Sequence, residues 1–327
     1  MNTIESNGRR VRLVPDLRQM LGPVLGLVLV IVIFGILAPQ SFLSVYNFKV
    51  VAAQSVIVGL GAIGMTFVIT SGGIDLSVGS VIALASVLTA LMMQQFDSPV
   101  VAIALGVGIG AVCGAVNGLV ITGLRIVPFI ATLGMFGIAR GFAKYLAGEQ
   151  KIDAPAGWIP ELMAKEPSLS WIFLAPGVWI TIALGILMAI LLNRTTFGTS
   201  TFAIGSNEST ARLCGIQIRR TKILIYMLCG MFAGLAGVMQ FGRLTVGDPT
   251  TALGKELDII AAVVIGGASL AGGEGRISGA LVGAVLMAFL ANGCTHAGVP
   301  NYVQEIIIGV IIIAAVALDS YRHSGSR

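Results

Sequence analysis

Ten stretches of the chain are apolar almost without a break: 21–38, 50–70, 78–95, 99–123, 126–147, 171–192, 222–242, 257–272, 277–294 and 301–318. A helix crosses about 30 Å of hydrocarbon with roughly 20 apolar residues, so the pattern predicts ten transmembrane helices, the eighth short. The polar positions are grouped between these runs, in "SGGIDLSVGS" (71–80), "GEQKIDAPAGWIPELMAKEPSLS" (148–170), the connection 193–222 and "GGEGR" (272–276).

Charge fixes the expected orientation. Arg9, Arg10, Arg12 and Arg18 precede the first run; Arg194, Arg212, Arg219, Arg220 and Lys222 fill 193–222; Arg322, His323 and Arg327 end the chain. Basic connections stay cytoplasmic, and ten passes starting inside place all three groups inside, with Arg125 and 272–276. The segment 148–170 then faces outward, with Trp158 and Trp171 suited to the interface. The first run is longer than a signal-peptide core of roughly 7–15 residues and no A-x-A site follows it, so it reads as a retained span. The expected fold is an all-α polytopic membrane protein with about ten transmembrane helices, glycine-rich helix breaks and both termini cytoplasmic. Its divisions are a tail at 1–20, a membrane domain at 21–319 and a tail at 320–327.

Composition agrees. The 327 residues are 56% hydrophobic and 11% charged, with mean hydropathy +0.95, against roughly 25% charged in soluble domains. The net charge of +5 resides in the connections, which speaks for topology and not for nucleic acid. Glycines number 43. Gly106, Gly110, Gly114 and Gly118 form successive GxxxG steps, repeated at Gly230/Gly234 and Gly279/Gly283, so helices can approach closely within the chain or between subunits. Cys113, Cys214, Cys229 and Cys294 have no metal or redox spacing. "VITSGGIDLSVGSVIAL" (68–84) and "VVIGGASLAGGEGRISGALVG" (263–283) resemble each other, as an internal duplication would.

Candidate chemistry is sparse. His296 and His323 read as loop and tail residues without metal-site spacing. "GGASLAGGEGRIS" lacks the lysine and hydroxyl of a nucleotide-phosphate loop, so any ATP is used by another chain, and no cofactor or metal is expected here. A membrane-embedded enzyme would lack a nucleophile, base or metal cluster. In 202–220, "FAIGSNESTARLCGIQIRR", Ser206 or Asn207 can cap a helix of about eight residues, Glu208 stands four before Arg212 and Gly215 can end the turn. This short helix should lie across the cytoplasmic face, offering Ala211, Leu213, Cys214 and Ile216 to a partner or resting on headgroups.

That stretch resembles the cytoplasmic coupling loop of the permease subunits of bacterial monosaccharide ABC importers, of ribose/xylose type, in the branched-chain amino acid/ribose permease superfamily. Their pattern is close to A-I-G-x-N-x-x-A-A-x-x-x-G-I; Ala203, Ile204, Gly205, Asn207, Ala211, Gly215 and Ile216 match, and Thr210 replaces one small residue. Similar blocks are 71–80, "NGLVITGLRIVPFIATLGMFGIARG" (117–141) and 266–286, in order over about 45–319. Val127, where a proline often stands, and "CTHAGVPNYVQ" (294–304) depart from the pattern. The resemblance implies a second permease copy and an ABC ATPase subunit docked on 203–217, with Gly205, Asn207, Glu208, Ala211, Arg212, Leu213, Gly215 and Ile216 as the coupling residues. It also implies a periplasmic or lipid-anchored sugar-binding protein outside, and leaves the sugar open.

Asp75 at membrane depth costs at least a few kcal/mol. Gly72 and Gly73 permit a bend, Ser71, Ser77 and Ser80 can satisfy freed backbone groups, and Asp75 either caps the next helix or contacts the solute. Gln54, Asn117 and Asn292 either line a pathway or tie helices together. Arg140 and Lys144 read as snorkelling side chains; Arg243, Asp248, Lys255 and Asp258 read as an outer rim that is solvated or docks the binding protein. The alternative function is a proton-coupled secondary transporter using Asp75 and Asp258 as relays.

Overall fold

A computed structural model describes residues 17–155, 157–167 and 173–324. Arg9, Arg10, Arg12, Trp171 and Arg327 lie outside the described residues, as do most of the first tail and the last three residues of the second. The order is α1 (Leu17–Leu37), α2 (Pro39–Phe42), α3 (Val45–Thr70), α4 (Val78–Phe96), α5 (Pro99–Gly123), α6 (Pro128–Ala147), β1 (Ile152–Asp153) and a 3-10 turn (Ile159–Met163). After these come α7 (Pro176–Arg194), α8 (Thr196–Ser206), α9 (Glu208–Leu213), α10 (Ile218–Leu244), β2 (Val246–Gly247), α11 (Lys255–Ile265), α12 (Ile277–His296) and α13 (Asn301–Ser324).

Among the described residues six helices, α3, α4, α5, α7, α10 and α12, are long and apolar enough to cross a membrane. Several limits differ from the apolar runs for physical reasons. Pro176 starts α7 late, because proline suits the first helical turn, where its missing N–H costs nothing. The basic residues 219, 220 and 222 are helical and extend α10, although they are not apolar. The eighth run becomes α11, eleven residues long and about 16 Å at 1.5 Å per residue; Gly267, Gly272 and Gly273 at positive φ then turn the chain.

Helix α3 is apolar on all sides and forms the centre, 89% buried over its most apolar window, whereas α5 and α7 are 28% buried. A helix hydrophobic all round is a core or membrane helix. The α5 glycines are used inside the chain: a Cβ at Gly110 would stand 2.8 Å from Gly234 Cα, and one at Gly118 2.6 Å from Ile223 Cα, both on α10. Gly283 meets Ala262 of α11 in the same way. These seams are intrachain packing.

The two ends of the bundle are built differently. At one end β1 pairs antiparallel with β2, Ile152 opposite Gly247, and Asn47 Nδ2 donates to Asn292 Oδ1 at 2.9 Å. At the other, the two glycine-rich connections lie side by side, Gly273 N donating to Thr70 O at 2.9 Å. Their shared end places the two similar stretches as neighbours.

Candidate functional site

Three clusters hold the candidate residues. The first is the connection from α8 to α10. Asn207 has extended backbone between α8 and α9, and its Oδ1 accepts from Thr210 N at 2.9 Å and Ser209 Oγ at 2.6 Å, so Asn207, and not Ser206, is the cap. Glu208 in the first turn is bonded by Lys222 Nζ at 2.6 Å and Arg212 Nη2 at 3.2 Å. The hydrogen bond from Lys222 leads in holding the Glu208 carboxyl below its ordinary range. Gly215, at φ +83°, ends the turn, with Ile216 N donating to Ala211 O; glycine takes this left-handed position without a Cβ penalty.

This cluster corrects the expected partner face. Ala211 points inward, 3% exposed, with Ile204 and Ile218. Leu213, by contrast, is 88% exposed, and Cys214 is exposed beside it. An apolar α9 face has to cover the body of the protein first, so what remains outward is the turn's end. Helix α9 has six residues, not eight.

Gly205 has a role that capping does not explain. A Cβ there would overlap Thr70 O and stand 2.5 Å from Gly273 N, and a Cβ placed at Gly72 would stand 3.8 Å from Gly205 Cα. The carrier helix α8 thus presses backbone on backbone against both glycine-rich connections.

The second cluster is the 71–77 turn. Ser71 Oγ donates to Val68 O, and Gly72 has φ +77°. Gly73 is needed for space: a Cβ would collide with the Tyr226 hydroxyl. Asp75 is 1% exposed; its Oδ1 accepts from Ser77 N at 2.9 Å and Ser77 Oγ at 2.6 Å, in a turn just before α4. Asn117 Nδ2 donates to Ser77 Oγ at 3.0 Å and reaches Asp75 Oδ2 at 3.5 Å. Thr132 of α6, unmarked in the sequence, accepts from Leu76 N and donates to Ile74 O, both at 3.2 Å. These bonds make Asp75 and Asn117 braces of the turn. Ser80 does not bond the turn: its hydroxyl is buried without a hydrogen-bond partner among the described residues.

At the opposite end a cavity of about 230 Å³ brings together Gln54, Asn292, Arg243, Lys255, Asp258 and Gln304. Asp258 is 7% exposed and paired with Lys255 Nζ at 2.6 Å, so Asp258 is cavity wall and not a solvated rim, while Lys255 lines the same cavity with its side chain partly exposed. Asp248 instead meets Lys151 at 3.4 Å beside the ribbon. Arg140 does not snorkel: it is 8% exposed and its Nη1 donates to Pro249 O at 2.7 Å and Thr251 O at 2.8 Å, because the 248–254 turn offers unpaired carbonyls. Lys144 is exposed as expected. His296 ends α12, with Nε2 3.1 Å from Asn47 Oδ1, so it is tied and not a free loop residue. No group of three metal-ligating side chains occurs among the described residues.

Residues 47–316 match the family described as branched-chain amino acid transport system / permease component. The chain is 43% identical over 302 residues to the ribose import permease protein of Bacillus subtilis (strain 168), covering 92% of each. It is 37% identical over 299 residues to the ribose import permease protein of Escherichia coli (strain K12), 91% of this chain and 93% of that one. The L-arabinose transport system permease protein of the same strain is 38% identical over 287 residues, 88% and 86%. No solved structure matches. With a family match over most of its length, relatives aligned over about nine-tenths of each chain, and six helices among the described residues long and apolar enough to cross a membrane, this chain belongs to the branched-chain amino acid transport system / permease component family of multi-pass membrane proteins.

Proposed function

We propose that the chain is the membrane-spanning permease subunit of a bacterial inner-membrane ABC importer and forms the translocation pathway for a monosaccharide such as ribose, arabinose or xylose. It crosses the membrane ten times within 21–319, with both termini and the α8–α10 connection cytoplasmic. A separate ATPase subunit hydrolyses ATP and docks on α9, a second permease copy completes the pathway, and a sugar-binding protein delivers solute to the ribbon end.

One observation carries this reading: α9 holds Leu213 almost fully out of the protein, while its neighbour α8 rests backbone on backbone against Thr70 and Gly273. Force applied at Leu213 reaches α8, then the turns that join α3 to α4 and α11 to α12. Packed elements shift between discrete arrangements and do not deform continuously, so movement of α8 must move those turns. The Asp75–Ser77–Asn117 bonds keep the first turn rigid enough to pass the movement to α4 and α5. At the far end Gln54 and Asn292 offer amides to a hydroxylated solute, and the cavity is smaller than the roughly 300–1,000 Å³ of drug-sized pockets, as a monosaccharide requires.

A proton-coupled transporter is less well supported, since Asp258 is neutralised by Lys255 and Asp75 is engaged by Ser77 and Asn117. The deciding experiment is reconstitution with the ATPase subunit in liposomes. Sugar uptake that needs ATP and survives collapse of the proton gradient supports the importer; uptake by the chain alone, abolished with the gradient, overturns it.

A further inference from the structure

A second cavity, of about 980 Å³, runs between the α5–α6 connection and the first turns of α10. Its wall has two chemistries. Val127, Ile223 and Leu224 give it an apolar side, while Arg125, Arg219 and Arg220 give it a cationic one. Glu208 is the sole acid lining it, and Lys222 and Arg212 already hold that carboxylate. The three arginines therefore have no ion pair among the described residues.

Their placement is electrostatically poor without an anion. Arg219 and Arg220 stand in the opening turn of α10, which has no acidic residue and no side-chain cap at Gln217. Cations at a helix N-terminus oppose the positive end of the macrodipole. The groove is also continuous with the outer apolar surface, where Leu124 is 69%, Val127 61% and Phe129 48% exposed.

We propose that this groove binds one anionic phospholipid of the cytoplasmic leaflet, its phosphate at Arg125, Arg219 and Arg220 and an acyl chain along Val127, Ile223 and Leu224. The placement rests on the orientation proposed above. A free phosphate would use only the cationic side, and an acidic protein surface would leave the lipid-level apolar side uncovered; a phosphatidylglycerol molecule matches both. Basic pockets between spanning helices on the cytoplasmic side are suited to such headgroups.

The test is native mass spectrometry of the full-length chain in mild detergent, exposed to equal phosphatidylglycerol and phosphatidylcholine of matched acyl chains. The wild type should retain phosphatidylglycerol preferentially. Combined R125Q, R219Q and R220Q should lower its retention on the order of a hundredfold, at roughly fivefold for each cation, while R194Q, outside the groove, changes nothing. Should the triple variant fold poorly, R125Q and R219Q singly must each show the smaller loss. Equal retention of both lipids, retention unchanged in the variants, or displacement by inorganic phosphate overturns the proposal. Variants that keep the lipid but lose the ATPase subunit would assign the groove to that protein instead. The readout needs neither ATP nor sugar, so failure of the importer reading and failure of the lipid site show separately.

Discussion

The two ends of this bundle solve opposite problems. At the α8 end, Gly72, Gly205, Gly272 and Gly273 remove side chains so that backbones touch, with Gly272 Cα-side space closed by Gly205 O and Gly72. At the ribbon end, Gln54, Asn292 and Gln304 place amides around an open space. A backbone contact has few ways to yield, so it transmits displacement; a cavity lined by polar side chains adapts to a passing solute. The proposed function puts force at one end and recognition at the other, in keeping with this difference.

Predictions that would break this division start with the glycine contact. Gly205→Val should destabilise the protein most, because its branched side chain must displace Thr70 O and Gly273 N, both backbone; overpacking of this kind costs about 1–3 kcal/mol and occasionally more. Thermal denaturation in detergent should show a clear fall in Tm. Next, Asp75→Leu removes the acceptor for Ser77 N and for the Ser77 hydroxyl and the 3.5 Å contact of Asn117, which keeps its bond to Ser77 Oγ, at about 1–3 kcal/mol for each buried group left unpaired. Uptake in liposomes should disappear, and full uptake by a normally expressed variant would contradict the bracing role. Asp75→Asn, which keeps one acceptor, should retain part of the activity.

Gln54→Ala and Gln304→Ala sharpen the other side. Neither side chain has a hydrogen bond among the described residues, so stability should change by less than about 0.5 kcal/mol while the KM for sugar uptake rises several-fold. An equal KM would remove the cavity from the pathway. The smallest effect belongs to Glu208→Gln. A carboxyl held below its ordinary range stabilises the folded state fully above its unfolded-state pKa, and that contribution is lost as pH falls through the lower folded-state value. Glu208 is partly exposed, so the effect is small: the variant should lose a little Tm at neutral pH and nothing at the acid end of a pH series.

Much of this was readable in the sequence. Apolar runs located the long helices, and Asn207, Glu208 and Gly215 carry local signals that need only neighbouring residues: a cap, a four-residue ion pair, a left-handed turn. Long-range partners were hidden. Nothing near Arg140 in sequence announces the carbonyls of Pro249 and Thr251, and Thr132 looks like any helical threonine until Ile74 and Leu76 arrive beside it. Ala211 shows the same limit, since an apolar residue on a short helix does not say whether it faces the protein or a partner. Gly205 was recognised as part of a pattern, yet its physical reason lies about 70 residues away in Gly273 and farther still in Thr70.

The central claim is that α9 receives the motor's force through Leu213. Because that side chain is almost wholly exposed, Leu213→Asp should fold with unchanged Tm, and the most direct measurement is the affinity of this variant for the ATPase subunit alongside ATP-driven uptake. Binding weakened at least tenfold, with uptake lost in proportion, is the result expected; wild-type binding and uptake would show that the force enters elsewhere.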